Sequence, residues 1–297
     1  MSLKSDLSQI SDLELHFECD LTSFSTFRLK SFGDLIVVKS IKSLQKVLST
    51  LSHYSRPYRL IGWGANQVLA TIENDLLIKL DLPVDETILN EFRTHYDLPA
   101  SLGLNHLTSH AVKYNLSGWE VFTGIPASLG GAIAMNAGTA LGEIGSLVTS
   151  VQIMNRRGEL REEVITANSF SYRKNHFLLP GDIILMARLT HRGIDTSIPQ
   201  IIKDYISYRK KTQPLATKNC GCVFKNYDHH FKAGKFIDCT GLKGLSVGAL
   251  SVSNLHGNFM ENKGQANYDD FSELTRLINQ QMQLHWGIEF ELEVKSV

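Results

Sequence analysis

The feature that most constrains this chain is an apolar, glycine-rich stretch at residues 124–138, which contains no charged side chain. Gly130 and Gly131 are adjacent in it, although each glycine costs a helix about 1 kcal/mol relative to alanine. Two interpretations fit such a pair: close approach of the backbone to a flat or phosphorylated ligand, or a tightly packed core helix. Residue types leave both open. Pro126 suits a first helical turn, so we predict that a helix begins there.

Composition narrows the class of protein. Of 297 residues, 43% are hydrophobic and 20% charged, which is typical of a soluble globular protein with two or three domains. The formal net charge is +0, so no basic field indicates nucleic acid or a membrane surface. No apolar run approaches the roughly 20 residues of a membrane span, and residues 1–11 lack a signal-peptide core. Four cysteines are too few for a disulfide framework, which favours a reduced, cytoplasmic protein.

The N-terminal third predicts a β-α-β arrangement. Apolar runs at residues 35–38, 58–61 and 76–80 predict strands, and Ser40 is suited to cap a helix after the first. The second run continues directly into Gly62 and Gly64, where a broken strand offers backbone N–H groups to a diphosphate. The spacing matches neither common nucleotide fingerprint, so a plain glycine turn stays open.

The rest of the chain predicts further helices and strands. Apolar periodicity predicts helices at residues 105–116, 197–211 and 269–286, with Gly287 ending the last. Alternation predicts strands at residues 148–154, 183–189 and 288–294, and a hairpin turn at residues 156–158. In the last strand Glu289, Glu291 and Glu293 share one face.

The cysteines near residue 220 raise the question of a metal. Cys220, Cys222 and Cys239 lie near the pair His229-His230, but structural zinc usually requires two paired knuckles and only one C-x-C occurs. We therefore expect no metal. Cys222 lies in a polar glycine turn where a thiol, with a pKa near 8.5, can act as an acid. For Cys239 and Cys19 we predict buried, inert thiols.

Several short motifs follow one another in a fixed order between residues 24 and 295. They are Gly62-Trp63-Gly64-Ala65-Asn66, Gly124-Ile125-Pro126, Met135-Asn136-Ala137-Gly138, Phe170-Ser171-Tyr172-Arg173, Gly221-Cys222-Val223-Phe224-Lys225-Asn226 and Glu293-Val294. In this order they resemble the UDP-N-acetylenolpyruvoylglucosamine reductase family, flavoenzymes that make UDP-N-acetylmuramate for peptidoglycan. In having no obvious Tyr-bearing insertion, the chain resembles the shorter of the family's two subtypes.

The resemblance implies an α+β chain. Its FAD-binding fold is of the vanillyl-alcohol-oxidase type, with two N-terminal α+β FAD subdomains followed by a C-terminal α+β substrate-binding domain. We expect these three parts at residues 1–82, 83–211 and 212–297, with the C-terminal strand returning to the active site. The implied cofactor is noncovalent FAD, with NADPH as co-substrate and UDP-N-acetylglucosamine enolpyruvate as substrate. The resemblance implies no nucleic acid or membrane partner, and we expect a monomer.

The resemblance also assigns residues to the reaction. The resemblance implies that the flavin N5 delivers hydride to the terminal carbon of the enolpyruvyl double bond, so that negative charge develops at the neighbouring carbon and its carboxylate. A cation and a proton donor must therefore be in place. By resemblance Arg173 is the cation, Cys222 the proton donor and Glu293 its acidic partner, while Tyr172, Arg173, Lys225 and Asn226 bind substrate. The expected FAD contacts are Gly62, Trp63, Gly64, Ala65, Asn66, Gln67, Gly124, Ile125, Pro126, Gly130, Gly131, Ala132, Asn136, Gly138 and Arg209.

Two other functions stay open at this point. A related FAD oxidoreductase with another substrate would keep the flavin motifs but have no use for Arg173, Cys222 and Glu293 together. A non-catalytic flavin-binding relative would have lost at least one of the three. Their joint presence favours the reductase.

Overall fold

A computed structural model describes residues 2–72, 75–227 and 231–297. The described residues form two compact units. Unit 1 consists of residues 2–16, 34–62 and 75–206, and unit 2 of residues 17–33, 63–72, 207–227 and 231–297. The predicted division into three parts at residues 82 and 211 stays a prediction.

Within these ranges the secondary structure comprises seven α-helices and seventeen strands. The helices are α1 (Leu3–Leu7), α2 (Ile41–His53), α3 (Leu104–Tyr114), α4 (Leu129–Ala134), α5 (Ile198–Thr212), α6 (Ala233–Cys239) and α7 (Tyr268–Trp286). The strands are β1 (Leu13–Asp20), β2 (Phe32–Val38), β3 (Tyr58–Ile61), β4 (Gln67–Val68), β5 (Leu76–Leu80), β6 (His95–Pro99), β7 (Gly138–Thr139), β8 (Gly142–Glu143), β9 (Val148–Met154), β10 (Leu160–Val164), β11 (Phe170–Ser171), β12 (Lys174–Asn175), β13 (Ile183–Thr190), β14 (Ser246–Val247), β15 (Leu250–Val252), β16 (Met260–Asn262) and β17 (Lys295–Ser296).

The predicted β-α-β arrangement is confirmed in unit 1. Strands β2 and β3 both run parallel to β5, which lies between them in a sheet of order β1-β2-β5-β3. Ser40 caps α2 by accepting a hydrogen bond from the Ser43 amide at 3.2 Å. The helix buries Leu44, Leu48 and other apolar residues at helical spacing, so one face of α2 is turned toward the interior.

A second, antiparallel sheet completes unit 1, in the order β10-β9-β13-β6. The predicted strand at residues 148–154 and its hairpin with β10 are confirmed. Trp119 is fully buried in the adjoining core, and its indole N–H donates to the Thr190 carbonyl at 2.8 Å. Helices α3 and α4 also contribute to this core, so the glycine-rich stretch is fixed on a packed surface.

Unit 2 is built on α7 and the small sheet β14-β15-β16. Asn267 and Asp270 form a reciprocal capping box at the start of α7, and Gly287 ends the helix in the left-handed conformation with φ 66. The predicted helix and its glycine stop are confirmed. Strand β17 runs parallel to β4, so the end of the chain lies beside residues 67–68.

Three local predictions are wrong, each for a different physical reason. The helix predicted to start at Pro126 starts at Leu129, because the hydroxyl of Ser128 provides the cap. Residues 288–294 form only one bridge, at Leu292, because the Asn279 side chain bonds both backbone groups of Phe290 in place of a neighbouring strand. Cys239 is exposed because α6 directs Ala233 and Ile237 into the core instead.

Candidate active site

The two adjacent glycines of α4 have different surroundings. A Cβ at Gly130 would lie 2.7 Å from the Cβ of Ala100, so this glycine is required by packing. Gly131 is exposed, and a Cβ there would meet only the Ser128 hydroxyl, at 3.2 Å. The helix therefore packs through one glycine and presents the backbone of the other on an open face.

Gly62 lies against this open face within unit 1. A Cβ on Gly62 would be 2.9 Å from the Ser128 hydroxyl oxygen and 4.0 Å from the Gly131 Cα. The end of β3 and the start of α4 therefore meet without intervening side chains, leaving a cradle that added Cβ atoms would fill. Gly124 and Pro126 in the approach to the helix are also exposed. This surface of bare backbone and small apolar groups fits a flat cofactor with a phosphate tail.

The turn that follows Gly62 belongs to unit 2. Gly64 has φ 65, and a Cβ there would lie 2.6 Å from the Cα of Ser25, so only glycine fits. Asn66 donates its side-chain N–H to the Glu293 carbonyl at 3.2 Å and accepts from the Lys295 amide at 3.0 Å. Gln67 continues into β4 beside Lys295. The predicted FAD turn and the segment that carries Glu293 are thus bonded to each other.

Arg173 lies in the two-residue turn between β11 and β12 and adopts φ 56. Its Nη2 donates to the Gly138 carbonyl at 3.0 Å, and its Nη1 lies 3.6 Å from Oε1 of Glu143. The guanidinium carbon is 4.9 Å from the centre of the Tyr172 ring. Only 15% of the Arg173 side chain is exposed, so this cation is held in a fixed, partly desolvated position.

Asn136 connects the elements around Arg173. Its Nδ2 donates to Oε2 of Glu143 at 2.8 Å and to the Ser171 carbonyl at 3.0 Å, while its Oδ1 accepts from the Gly145 amide at 3.0 Å. The residue is buried and has φ 48, which asparagine tolerates better than most residues. Its predicted contact with FAD stays a prediction, and its observed contacts are with the protein.

Cys222 and Glu293 occur on neighbouring segments of unit 2. The Val223 carbonyl accepts from the Glu293 amide at 2.8 Å, and the Lys225 amide donates to the Glu291 carbonyl at 2.8 Å. Cys222 and Glu293 are half-buried, whereas Glu291 is exposed. Burial therefore singles out Glu293 among the acids of this segment. Arg173 belongs to unit 1, and its proximity to this pair stays a prediction.

The two thiols of the C-x-C pair differ in environment. Cys220 is buried, and desolvation raises the pKa of its thiol far above the ordinary value. Cys222, two residues later, is half-buried, which leaves it the better placed acid of the two. Across the described ranges no cluster of three or more metal-ligating side chains occurs. The sequence pair His229-His230 lies outside the described residues.

Three of the remaining predicted substrate and cofactor contacts, Lys225, Asn226 and Arg209, are polar side chains that already have protein partners. The Lys225 ammonium is 2.8 Å from the Glu291 carboxylate, whose pKa it lowers through this hydrogen bond. Asn226 accepts from the Ala233 amide at 3.1 Å at the start of α6. Arg209 Nε donates to the Gln213 side chain at 2.7 Å. Of the apolar set, Ile125 is half-buried, Ala132 is buried, and Trp63 is 39% exposed.

One residue of this site was missed by the sequence analysis. Glu143 is the partner of Gly138 in the β7–β8 hairpin, and its carboxylate contacts both Asn136 and Arg173. The available signal was its position: Gly142 and Glu143 follow closely after the Met135-Asn136-Ala137-Gly138 motif.

Comparison with known proteins first defines a class. A family model described as an FAD binding domain matches residues 35–163, which contain the Gly62 strand end and the glycine-rich helix. The chain thus has the FAD-binding domain predicted from the resemblance. Among the described helices, none has the length and apolar character needed to cross a membrane.

The second part of the chain defines the family. A model described as the C-terminal domain of UDP-N-acetylenolpyruvoylglucosamine reductase matches residues 213–297. The reductase of Chlamydia pneumoniae is 32% identical over 93% of this chain and 90% of the relative, and that of Thermus thermophilus is 34% identical over 90% and 97%. The solved reductase of Thermus caldophilus matches with a TM-score of 0.78 and 30% identity, covering 96% of this chain and 98% of that one. The chain belongs to the UDP-N-acetylenolpyruvoylglucosamine reductase family, which confirms the predicted family, α+β fold class and FAD cofactor.

Proposed function

We propose that this chain reduces the enolpyruvyl group of UDP-N-acetylglucosamine enolpyruvate to give UDP-N-acetylmuramate, with noncovalent FAD and with NADPH as the hydride source. Family membership confirms the predicted FAD-dependent reductase of peptidoglycan precursor synthesis. The finer mechanism is carried by one observation: the segments of Cys222 and Glu293 are hydrogen-bonded neighbours and both side chains are half-buried.

Atoms and electrons balance as a two-electron reduction. When bound, FAD would supply the hydride chemistry, carrying a hydride from NADPH to the terminal carbon of the substrate's double bond. The neighbouring carbon takes a proton, so the C=C bond becomes a C–C bond and NADPH becomes NADP⁺. Residues 62–67 and the open face at Gly131 are the part of this chain that would hold the flavin nucleotide.

Arg173 meets the charge that develops on the substrate carboxylate. A guanidinium presents N–H donors in a rigid plane and pairs with a carboxylate through two parallel bonds. Its side chain is held by the Gly138 carbonyl and Glu143, so little reorganisation is needed when the charge forms. We assign Arg173 to the carboxylate, with Tyr172, Lys225 and Asn226 as the other substrate contacts.

Cys222 delivers the proton to the carbon beside the carboxylate. A thiol is more acidic than a hydroxyl by several pK units, and only the thiolate remains after the proton leaves. Cys220 is unsuited because burial raises the pKa of its thiol. Glu293 is the acidic partner, on the segment bonded to Val223.

The setting of the enzyme is also part of the proposal. Four free cysteines suit the reducing cytoplasm. We propose a monomer, of the family's shorter subtype, organised at residues 1–82, 83–211 and 212–297. The C-terminal family model begins at residue 213, which supports the last of these boundaries.

An anaerobic experiment tests the reaction. NADPH is added to the purified holoenzyme until the flavin absorbance is bleached, and UDP-N-acetylglucosamine enolpyruvate is then added. We expect the flavin colour to return in a stoichiometric turnover, with UDP-N-acetylmuramate as the product. Bleaching without reoxidation by this substrate would identify a related oxidoreductase, and no bleaching at all would identify a non-catalytic flavin-binding relative.

Stopped-flow absorbance tests the proton donor. Cys222→Ala leaves flavin reduction by NADPH nearly unchanged but slows reoxidation by the substrate by about 10²–10⁴, the usual contribution of general acid catalysis. Cys222→Ser falls between, because a hydroxyl is a weaker acid. Cys220→Ser removes the neighbouring buried thiol as a matched control. Wild-type reoxidation in Cys222→Ala, or equal slowing in Cys220→Ser, refutes the assignment.

A further inference from the structure

We propose that Glu143 is a positioning residue for Arg173, fixing the plane of its guanidinium so that it meets the substrate carboxylate. The inference rests on the role of Arg173 proposed above and adds a residue that the family resemblance did not supply. It stands on the geometry of two short hairpins, β7–β8 and β11–β12, and on the buried amide of Asn136 that joins them.

The β7–β8 hairpin holds Arg173 at two points. Gly138 and Glu143 are directly paired residues of this hairpin. The Gly138 carbonyl accepts from Nη2 at 3.0 Å, and Oε1 of Glu143 lies 3.6 Å from Nη1. A Cβ on Gly138 would lie 3.0 Å from Nη1 and 2.8 Å from the Glu143 Cγ, so glycine makes room for both side chains. Two contacts on different nitrogens fix a plane, which one contact does not.

Glu143 is itself held in place. Its second oxygen, Oε2, accepts from Asn136 Nδ2 at 2.8 Å, and the same Nδ2 donates to the Ser171 carbonyl, two residues before Arg173. The Asn136 carbonyl oxygen accepts from the Gly145 amide, which fixes the orientation of the amide group. The backbone therefore holds the Asn136 amide, the Asn136 amide holds the Glu143 carboxylate, and this carboxylate holds the Arg173 guanidinium.

This arrangement matters because Arg173 lies on a turn. Arg173 has a φ of 56 and lies in a two-residue turn between two-residue strands. Loss of Glu143 would remove the contact to Nη1, one of the two contacts on different nitrogens that set the guanidinium plane. An arginine that must orient itself after the substrate arrives stabilises developing charge less than a preorganised one.

The substitution Glu143→Gln keeps the volume but breaks the network. If the new amide oxygen faces Arg173, its NH₂ group faces the Asn136 NH₂ group, and two donors oppose each other. Turning the Asn136 amide would instead place its NH₂ group against the Gly145 amide N–H. Glu143→Asp keeps the charge but is one methylene too short to contact both partners, and it serves as the second variant if the first does not fold.

The test measures flavin reoxidation by the substrate in anaerobic holoenzyme. We expect Glu143→Gln to lower the rate at saturating substrate by about 10- to 100-fold, less than the 10²–10³ of losing a direct oxyanion donor. We expect little change in four other measurements. They are the substrate concentration for half-maximal rate, the calorimetric dissociation constant of the substrate for the oxidised enzyme, the rate of reduction by NADPH and the flavin spectrum. Glu143→Asp should be intermediate. Glu162→Gln, the same charge loss on exposed β10, is the matched control.

A double variant separates positioning from general stability. If Glu143 acts through Arg173, adding Glu143→Gln to Arg173→Lys slows reoxidation no further, whereas independent effects multiply. Multiplied effects, or a Glu143→Gln rate equal to that of Glu162→Gln, overturn the proposal. So does a wild-type rate in Glu143→Asp. If Arg173→Lys itself keeps the wild-type rate, the roles of Arg173 and Glu143 both fail. If Arg173→Lys is slow and Glu143→Gln is not, only the role of Glu143 fails.

Discussion

Alanine substitution of the two adjacent glycines in α4 should affect two different properties. Gly130→Ala should lower the stability of the fold. Gly130→Ala gains about 1 kcal/mol from helix propensity. Its new Cβ would lie 2.7 Å from that of Ala100, a buried residue whose carbonyl is bonded to the Gly130 amide at 2.8 Å. Neither group can turn away, and overpacking of this kind costs about 1–3 kcal/mol. We expect a net loss of about 1 kcal/mol in unfolding free energy.

Gly131→Ala should spare the fold and weaken FAD binding. The new Cβ meets only the Ser128 hydroxyl at 3.2 Å, and a displaced N-cap costs about 1 kcal/mol, which the helix propensity of alanine offsets. The methyl group projects from the open face against which Gly62 lies. If the flavin occupies that face, the added methyl group should raise the FAD dissociation constant at least about tenfold, or about 1.4 kcal/mol.

Two measurements on apoprotein separate these effects. Urea unfolding gives the free energy of unfolding, and quenching of flavin fluorescence during titration gives the FAD dissociation constant. We expect Gly131→Ala to have wild-type stability and weakened FAD binding, and we expect Gly130→Ala to have lowered stability. If Gly131→Ala binds FAD as tightly as wild type, the open face is not the flavin surface. If Gly130→Ala is as stable as wild type, the packing argument at Ala100 is wrong.

Three further outcomes are expected. Acid precipitation should release all of the flavin into the supernatant, because residues 62–67 and 124–138 contain no Cys or His that could tether it; flavin in the pellet would contradict noncovalent binding. Arg173→Lys should keep the flavin but lose most activity with the enolpyruvyl substrate, because lysine lacks the planar fork; activity within a few-fold of wild type would contradict the carboxylate assignment. Burial lowers the pKa of His110, whose ring bonds the Leu89 carbonyl and the Tyr96 hydroxyl, so its contribution to stability is present above about pH 6.5 and lost as the pH falls through the lowered pKa. Urea midpoints should therefore fall less on acidification in His110→Gln than in wild type or in the exposed control His53→Gln, and equal slopes would refute this source.

Local sequence signals predicted the parts of the fold that short-range physics determines. The bounds of β3 and β5 were predicted to the residue, because a short, mainly apolar run flanked by turn residues leaves few alternatives. The start of α4 was misplaced because proline and serine both suit a helix start, and the choice depends on the bridge between Ser128 and Gly103. At residues 288–294 the alternation correctly indicated buried Phe290 and Val294, but burial does not reveal the hydrogen-bond partner, which is the side chain of Asn279.

The residues of the candidate site also differ in how well the sequence predicts them. Glycines that a ligand or a packed neighbour requires stand out in a sequence, because glycine within a helix is costly. Arg173, Cys222 and Glu293 stand out only through the family's motif order, since an arginine in a turn or a glutamate on an alternating segment usually has no chemical role. The only sequence signal for Glu143 was its position soon after the motif that ends at Gly138. Its carboxylate matters because β7 and β8 place it opposite Gly138, and because an asparagine seven residues earlier holds it there. Residues that touch the substrate can be inferred from what the reaction needs, whereas residues that orient them can be inferred only from the fold that brings them together.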